Sequence, residues 1–261
     1  MFQAPVERIA FYIGNYPIMK YGITMGLAIA VSVCLLLFFR KKYYSSFSED
    51  VIVDLSCIVI FAGIVGARLW YVLLNADYFS SNLAETVMIH HGGISIQGAI
   101  IGGIIGGYFY TKKKNLNFLK LADLYALVLP IGQAIGRWGN FFNSEAFGRP
   151  CDLPWKMFVS PENRPFLYKD FDYFHPAFLY ESIVNVLIFV ILFFFLRKVF
   201  KDKDGCIFFS YLLLYSAARY FIEFIRIDSV LDIFGIPVAV FVCVLFIIVS
   251  VAGLWKLNKS A

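Results

Sequence analysis

The chain is short of charge. Only 16% of its 261 residues are Asp, Glu, Lys or Arg, against about 25% in a soluble domain. It also lacks the ten-residue segments of strict apolar–polar alternation that build a membrane β-barrel. Its five cysteines, Cys34, Cys57, Cys151, Cys206 and Cys243, show no CxxC spacing. Four lie in or beside apolar runs, where cysteine acts as a small hydrophobe, and Cys151 has no evident partner on its own side. Neither His90 nor His91 has a third ligand at a recognisable spacing, so no metal site is expected. There is no internal repeat, no low-complexity tract and no linker long enough to separate a second domain.

What is abundant is apolar bulk: 60% hydrophobic residues, 19% aromatic, and a mean hydropathy of +0.74. It arrives in runs long enough to cross a bilayer, which takes about 20 residues per helix. The run lengths predict an all-α polytopic membrane protein with about seven transmembrane helices, at 18–39, 51–75, 94–111, 119–137, 176–196, 206–226 and 237–255. The first run is long and its cationic flank follows it, so no cleavable signal is expected.

The net charge of +5 does not point to nucleic acid, because the cations sit in knots between apolar runs. Arg40-Lys41-Lys42, Lys112-Lys113-Lys114, Arg197-Lys198 with Lys201 and Lys203, and Lys256 with Lys259 read as cytoplasmic loops. One orientation satisfies all of them: N-terminus outside, C-terminus in the cytoplasm. The segment 138–175 is then external. With Pro150, Pro154, Pro161 and Pro165 it cannot be a span, and it is expected to form a small extracytoplasmic cap on a single integral membrane domain, residues 1–261.

Polar residues that hydrocarbon penalises by several kcal/mol each collect on the outer side. Tyr21 opens the first helix, Arg68 lies deep in the second, and His90, His91 and Gln97 flank the third. Arg137 closes the fourth, His175, Tyr180 and Glu181 open the fifth, and Tyr215, Arg219, Glu223 and Arg226 share one face of the sixth. An Arg219–Glu223 pair that merely lets a helix cross is the plain reading. Two arginines on different helices, aimed at one layer, are also a bidentate phosphate site. The glycines of the third helix, Gly98, Gly102, Gly103, Gly106 and Gly107, are expected to serve helix packing, and Asp54 and Asp123 to be structural.

The densest polar stretch, GRWGNFFNSEAFGRP at 136–150, resembles the signature of bacterial prolipoprotein diacylglyceryl transferases, roughly G-R-x-G-N-x-x-N-x-E-x-x-G. Gly136, Arg137, Gly139, Asn140, Asn143, Glu145 and Gly148 match every fixed position. Further family-like pieces follow in order: Tyr21-Gly22, HGGISIQGAIIGG, HPAFLYE at 175–181 and YSAARYFIEFIR at 215–226. The resemblance implies transfer of the diacylglyceryl group from phosphatidylglycerol to the lipobox cysteine of a prolipoprotein signal peptide. The products would be a thioether and glycerol 1-phosphate, made without cofactor at the outer leaflet of the bacterial plasma membrane, among membrane lipids.

By that resemblance Arg137, Arg219, Tyr21, Glu145 and Glu223 carry catalysis, the two glutamates orienting the arginines that hold the phosphate. Asn140, Asn143, Gly148, Tyr215, Arg226, Gln97 and His91 join Arg137 in binding substrate. Gln97 stands where many members of the family have a histidine, a candidate general base, and an amide takes up no proton at neutral pH. The base is then His91, Tyr21 or Glu145, or the arginine field itself lowers the thiol pKa. Two other readings are a transporter of anionic solutes, against which the polar layer stops in the outer half, and a lipid-binding scaffold without catalysis.

Overall fold

A computed structural model describes residues 1–3, 7–88, 92–227, 232–233 and 235–259. Two compact units emerge: Met1–Leu35 with Ala122–Ala261, and Leu36–Leu121. Seven long helices occur among the described residues, and their positions follow the predicted runs closely. Five are long and apolar enough to cross a membrane: α1 (Lys20–Tyr43), α2 (Glu49–Leu74), α5 (Phe118–Phe142), α6 (Ala177–Val199) and α8 (Val238–Lys259). The other two, α4 (Ile96–Lys113) and α7 (Cys206–Glu223), are 18 residues each. They are less apolar, α4 through its glycines and terminal lysines and α7 through Arg219 and Glu223. A short helix, α3 (Ala76–Ser81), follows α2.

In the smaller unit α2 and α4 pack backbone to backbone. A Cβ on Gly66, Gly98 or Gly102 would collide with the other helix's main chain, and one on Gly106 would come 2.7 Å from the Ala62 Cβ. Small residues replace side-chain interdigitation here and let the two backbones approach closely. The glycine reading therefore holds for Gly98, Gly102 and Gly106.

The larger unit carries the site. A hairpin of β2 (Ile9–Ile13) and β3 (Tyr16–Met19) runs straight into α1, so Ile18 and Met19, expected at the start of the first helix, are strand instead. On the α1 side of α5, Gly132 faces the Ser32 hydroxyl and Gly136 the Met25 sulfur. The Ser182 hydroxyl of α6 donates to the Ala134 carbonyl of α5 at 2.9 Å. Asp123, buried on α5, accepts from the N–H groups of Gly205 and Phe208 at 2.6 and 2.7 Å, capping α7 from another helix. This satisfies donors that the N-terminus of α7 would otherwise leave open, so the structural reading of Asp123 stands.

Residues 143–176 fold on a small core of Ala146, Phe147, Met157, Val159 and Phe174, completed by Phe178 of α6. Three short strands cover it: β1 (Phe2–Gln3) parallel to β4 (Met157–Phe158), which is antiparallel to β5 (Tyr173–Phe174). One boundary differs from the sequence pattern. Helix α5 does not stop at Arg137 but continues to Phe142, because Trp138 and Phe141 pack on Phe178 with ring centroids 5.5 and 4.9 Å away. Half of the signature stretch is thus helix and half is loop.

Candidate active site

The site assembles where α5, α6 and α7 meet. Glu181, in the second turn of α6, is 3% exposed and receives three guanidiniums. Arg137 Nη2 of α5 lies 2.6 Å from its Oε2. Arg219 Nη1 of α7 and Arg226 Nη1, just past the end of α7, lie 3.0 and 2.6 Å from its Oε1. Arg219 also pairs through Nη2 with Glu223 Oε2 at 2.5 Å, one helical turn on. Three cations thus face two carboxylates in this cluster, an excess of one positive charge.

Local structure explains how the residues reach one another. After α5, Ser144 and Ala146 take left-handed backbone conformations (φ 56° and 53°), a strained pair of the kind that concentrates at functional sites. The strain turns the chain back: Glu145 N–H donates to the Asn140 carbonyl at 2.8 Å, and Phe178 N–H to the Ala146 carbonyl at 2.9 Å. Glu145 then accepts from the side-chain amides of Asn143 at 3.1 Å and Asn140 at 3.5 Å. The expected Glu145–arginine pairing is replaced by this amide pairing. Glu181 takes the arginine-orienting role instead, and Glu223 shares it.

Gly148, expected among the substrate-binding residues, has its N–H committed to the His175 carbonyl at 2.8 Å. A Cβ there would sit 2.9 Å from both the Ile225 carbonyl oxygen and the His175 Cβ. Its glycine is required for close packing. Arg149 N–H donates to the Ile225 carbonyl and His175 N–H to the Arg149 carbonyl, at 2.9 and 3.0 Å. These bonds bolt the end of the signature to the start of α6 and to the segment bearing Arg226.

Tyr21, at the start of α1, packs on Gly139, whose Cβ would meet its ring at 3.0 Å, within electrostatic reach of Glu145 and Arg137. Tyr215 stacks on Tyr211 with centroids 5.9 Å apart. Outside the helices, His175 Nδ1 lies 3.1 Å from the Tyr180 hydroxyl, which accepts from Trp155 Nε1 at 2.9 Å. Burial holds the His175 imidazole below its ordinary pKa.

In the smaller unit, Gln97 accepts from the Ser95 hydroxyl at 2.5 Å. Arg68 is buried and gives its guanidinium to the backbone carbonyls of Glu85, Thr86, Met88, Gly92 and Gly93. It is a staple for the segment before α4. His90 and His91 lie outside the described residues.

The cluster is unevenly exposed. Toward the protein, the space between Glu181, Asn185, Tyr215 and Arg219 is a cavity of about 10 Å³, room for one water. Arg137 is the most exposed of the three arginines, at 22%, against 17% and 12% for Arg219 and Arg226. It is also 3.5 Å from the Asn140 amide oxygen through Nη1. An anion would therefore approach over Arg137 and Asn140.

Sequence reasoning placed Glu181 in the outer polar layer but gave it no role in the site. It sits in the quoted HPAFLYE piece, and a carboxylate opening an otherwise apolar helix was the available signal. Fold and site together define a helical membrane protein with a guanidinium cluster suited to a phosphate. A family model described as prolipoprotein diacylglyceryl transferase matches residues 8–256, and the chain belongs to that family. A phosphatidylglycerol–prolipoprotein diacylglyceryl transferase of Thermotoga maritima is 41% identical over 260 residues, 98% of this chain and 86% of the relative. Relatives of the same description from Acaryochloris marina and Clostridioides difficile are 43% and 39% identical over 231 and 226 residues. These alignments cover 88% and 87% of this chain, and 83% and 86% of the respective relatives.

Proposed function

We propose that this chain transfers the diacylglyceryl group of phosphatidylglycerol to the lipobox cysteine thiol of prolipoproteins. The observation that carries the reading is the convergence of Arg137, Arg219 and Arg226, drawn from two family motifs, on the buried Glu181 of a third. In the reaction the cysteine sulfur bonds to the glycerol carbon that bears the phosphate ester, and that carbon's bond to oxygen breaks. The thiol loses its proton, and glycerol 1-phosphate leaves with the electron pair and a growing negative charge.

Arg137 meets that charge from the more exposed side, with Asn140 beside it. A guanidinium has five N–H donors, so Arg137 keeps donors for phosphate while bound to Glu181. Arg219 and Arg226 add field from behind, and a low-dielectric wall magnifies it. The same field lowers the thiol pKa. Tyr21, Asn143, Glu145, Gly148, Tyr215 and Glu223 complete the proposed site, Gly148 by shape; for Gln97 and His91 substrate binding is what the family resemblance implies.

The reading places all seven long helices across the bacterial plasma membrane, N-terminus outside and C-terminus in the cytoplasm, as one integral domain with 138–175 as an outer cap. Phosphatidylglycerol then enters sideways from the outer leaflet, and an exported signal peptide presents its cysteine from the same side. Purified protein in detergent with phosphatidylglycerol and a lipobox peptide tests it. Glycerol phosphate release is expected to require the peptide thiol, Arg137 and Arg219. Release that persists with a Cys→Ser peptide refutes the transfer. Bound lipid with no release leaves a lipid-binding scaffold as the reading.

A further inference from the structure

Three guanidiniums around an empty centre would hold any phosphate tightly, product included. Here the centre is filled. Glu181 stands where all three point, 3% exposed, with both carboxylate oxygens engaged: Oε2 by Arg137, Oε1 by Arg219 and Arg226. Its position is fixed by α6, whose backbone cannot follow a leaving ligand. A second buried carboxylate, Glu223, holds the other terminal nitrogen of Arg219. The cluster is thereby reduced from three positive charges to one.

We infer that Glu181 is the internal counter-ion of the phosphate site, competing with the ligand's phosphate for Arg137 so that the phosphate product is released. This rests on the transfer proposed above. Arg137 is the shared partner because its pairing is confined to one carboxylate oxygen and a long contact to Asn140, on the most exposed edge of the cluster. Arg219 is held between two carboxylates and stays with the protein. When phosphate binds, Arg137 donates toward it and loosens from Oε2. When the product leaves, Oε2 takes the guanidinium back. A carboxylate serving only to orient arginines would act in the opposite sense, since its removal would disorder them and weaken anion binding.

The test is binding of glycerol 1-phosphate to the detergent-solubilised full chain, followed by titration calorimetry, beside turnover of phosphatidylglycerol with a lipobox peptide. Glu181→Gln keeps an acceptor for Arg219 and Arg226 but removes the charge. It is expected to bind glycerol 1-phosphate about tenfold more tightly, since a unit negative charge beside the anion is gone. KM for phosphatidylglycerol and kcat should then both fall, with product release slowed. Glu181→Asp, which keeps the charge, should return binding toward the wild-type value.

Adding Arg226→Gln to Glu181→Gln restores the charge excess to one and should also return affinity to the wild-type value. If Glu181→Gln alone does not fold, the comparison is made within Arg226→Gln, where the further Glu181→Gln change should tighten binding. Unchanged or weaker binding on loss of the Glu181 charge overturns the inference, as does a Glu181→Gln protein that turns over but binds no glycerol 1-phosphate. Wild-type protein that binds it with this pattern of variants, but transfers nothing, leaves the counter-ion standing and removes the transferase.

Discussion

Replacing Arg137 with lysine separates charge from geometry at the site. The guanidinium spans two directions: Nη2 reaches Glu181 at 2.6 Å, while Nη1 points toward Asn140 and the more exposed side. Lysine keeps one positive charge but has one nitrogen, which can stay with Glu181 or serve the phosphate from a single point. The Glu181 carboxylate remains compensated in either case, because Arg219 and Arg226 still hold Oε1. Folding stability should therefore change by less than about 1 kcal/mol. The transition state loses at least one charge-assisted hydrogen bond, worth about 1.5–3 kcal/mol. At 1.36 kcal/mol per decade, kcat/KM for glycerol phosphate release should fall roughly 10- to 150-fold. The assay is initial-rate release in detergent at saturating peptide, with a thermal unfolding curve as the control. A lysine variant within about threefold of wild type would refute the phosphate-contacting role of Arg137.

Gly148→Ala should fail through shape: its methyl group meets the Ile225 carbonyl and the His175 Cβ at 2.9 Å. Overpacking of this kind costs about 1–3 kcal/mol. Because the displaced strand carries the bond from Arg149 to Ile225, activity should fall further than stability. Lowered midpoints with full activity would count against it. Arg68→Ala removes the donor of five backbone carbonyls in a buried setting. The expected loss is at least about 3 kcal/mol, with new protease sensitivity between residues 82 and 95; an unchanged cleavage pattern would argue against the staple.

For His175 the folded pKa lies below the ordinary value of 6.5 because burial disfavours the imidazolium. The neutral ring's contribution to stability is complete above pH 6.5 and is lost as pH falls from there through the lower folded pKa. The wild-type unfolding midpoint should therefore drop between pH 7 and 5 more than that of His175→Gln, and parallel curves would contradict this.

The helices were legible because the apolar runs are long, and even α4 and α7, less apolar than the other five, begin and end close to the predicted bounds of 94–111 and 206–226. The end of α5 was not, since it depends on Trp138 and Phe141 finding Phe178, a contact between distant segments. The hairpin 9–19 was not read at all, and only its last two residues, Ile18 and Met19, fall within the run assigned to the first helix. Tyr21, Arg137, Asn140, Glu145 and Arg219 were legible as costly polar groups in a greasy chain. Which carboxylate serves which cation was not. Glu145 is eight residues from Arg137 in the signature, yet it turns to amides, while Glu181 meets Arg219 and Arg226 across 38 and 45 residues.

That pairing follows from where each carboxylate is anchored. Glu145 rides on a loop that two left-handed residues turn back over the end of α5, at the open edge, where water can solvate it and neutral amides suffice. Glu181 and Glu223 sit on helices at 3% and 2% side-chain exposure, where an unpaired carboxylate would be costly. In this cluster each buried carboxylate has a guanidinium and each guanidinium a carboxylate, so the interior of the site closes on itself. Arg137, reaching that interior from the exposed side, is the member of the network with one hand inside and one hand free. The backbone bonds among Gly148, Arg149, His175 and Ile225 keep the three motifs in register while it exchanges partners.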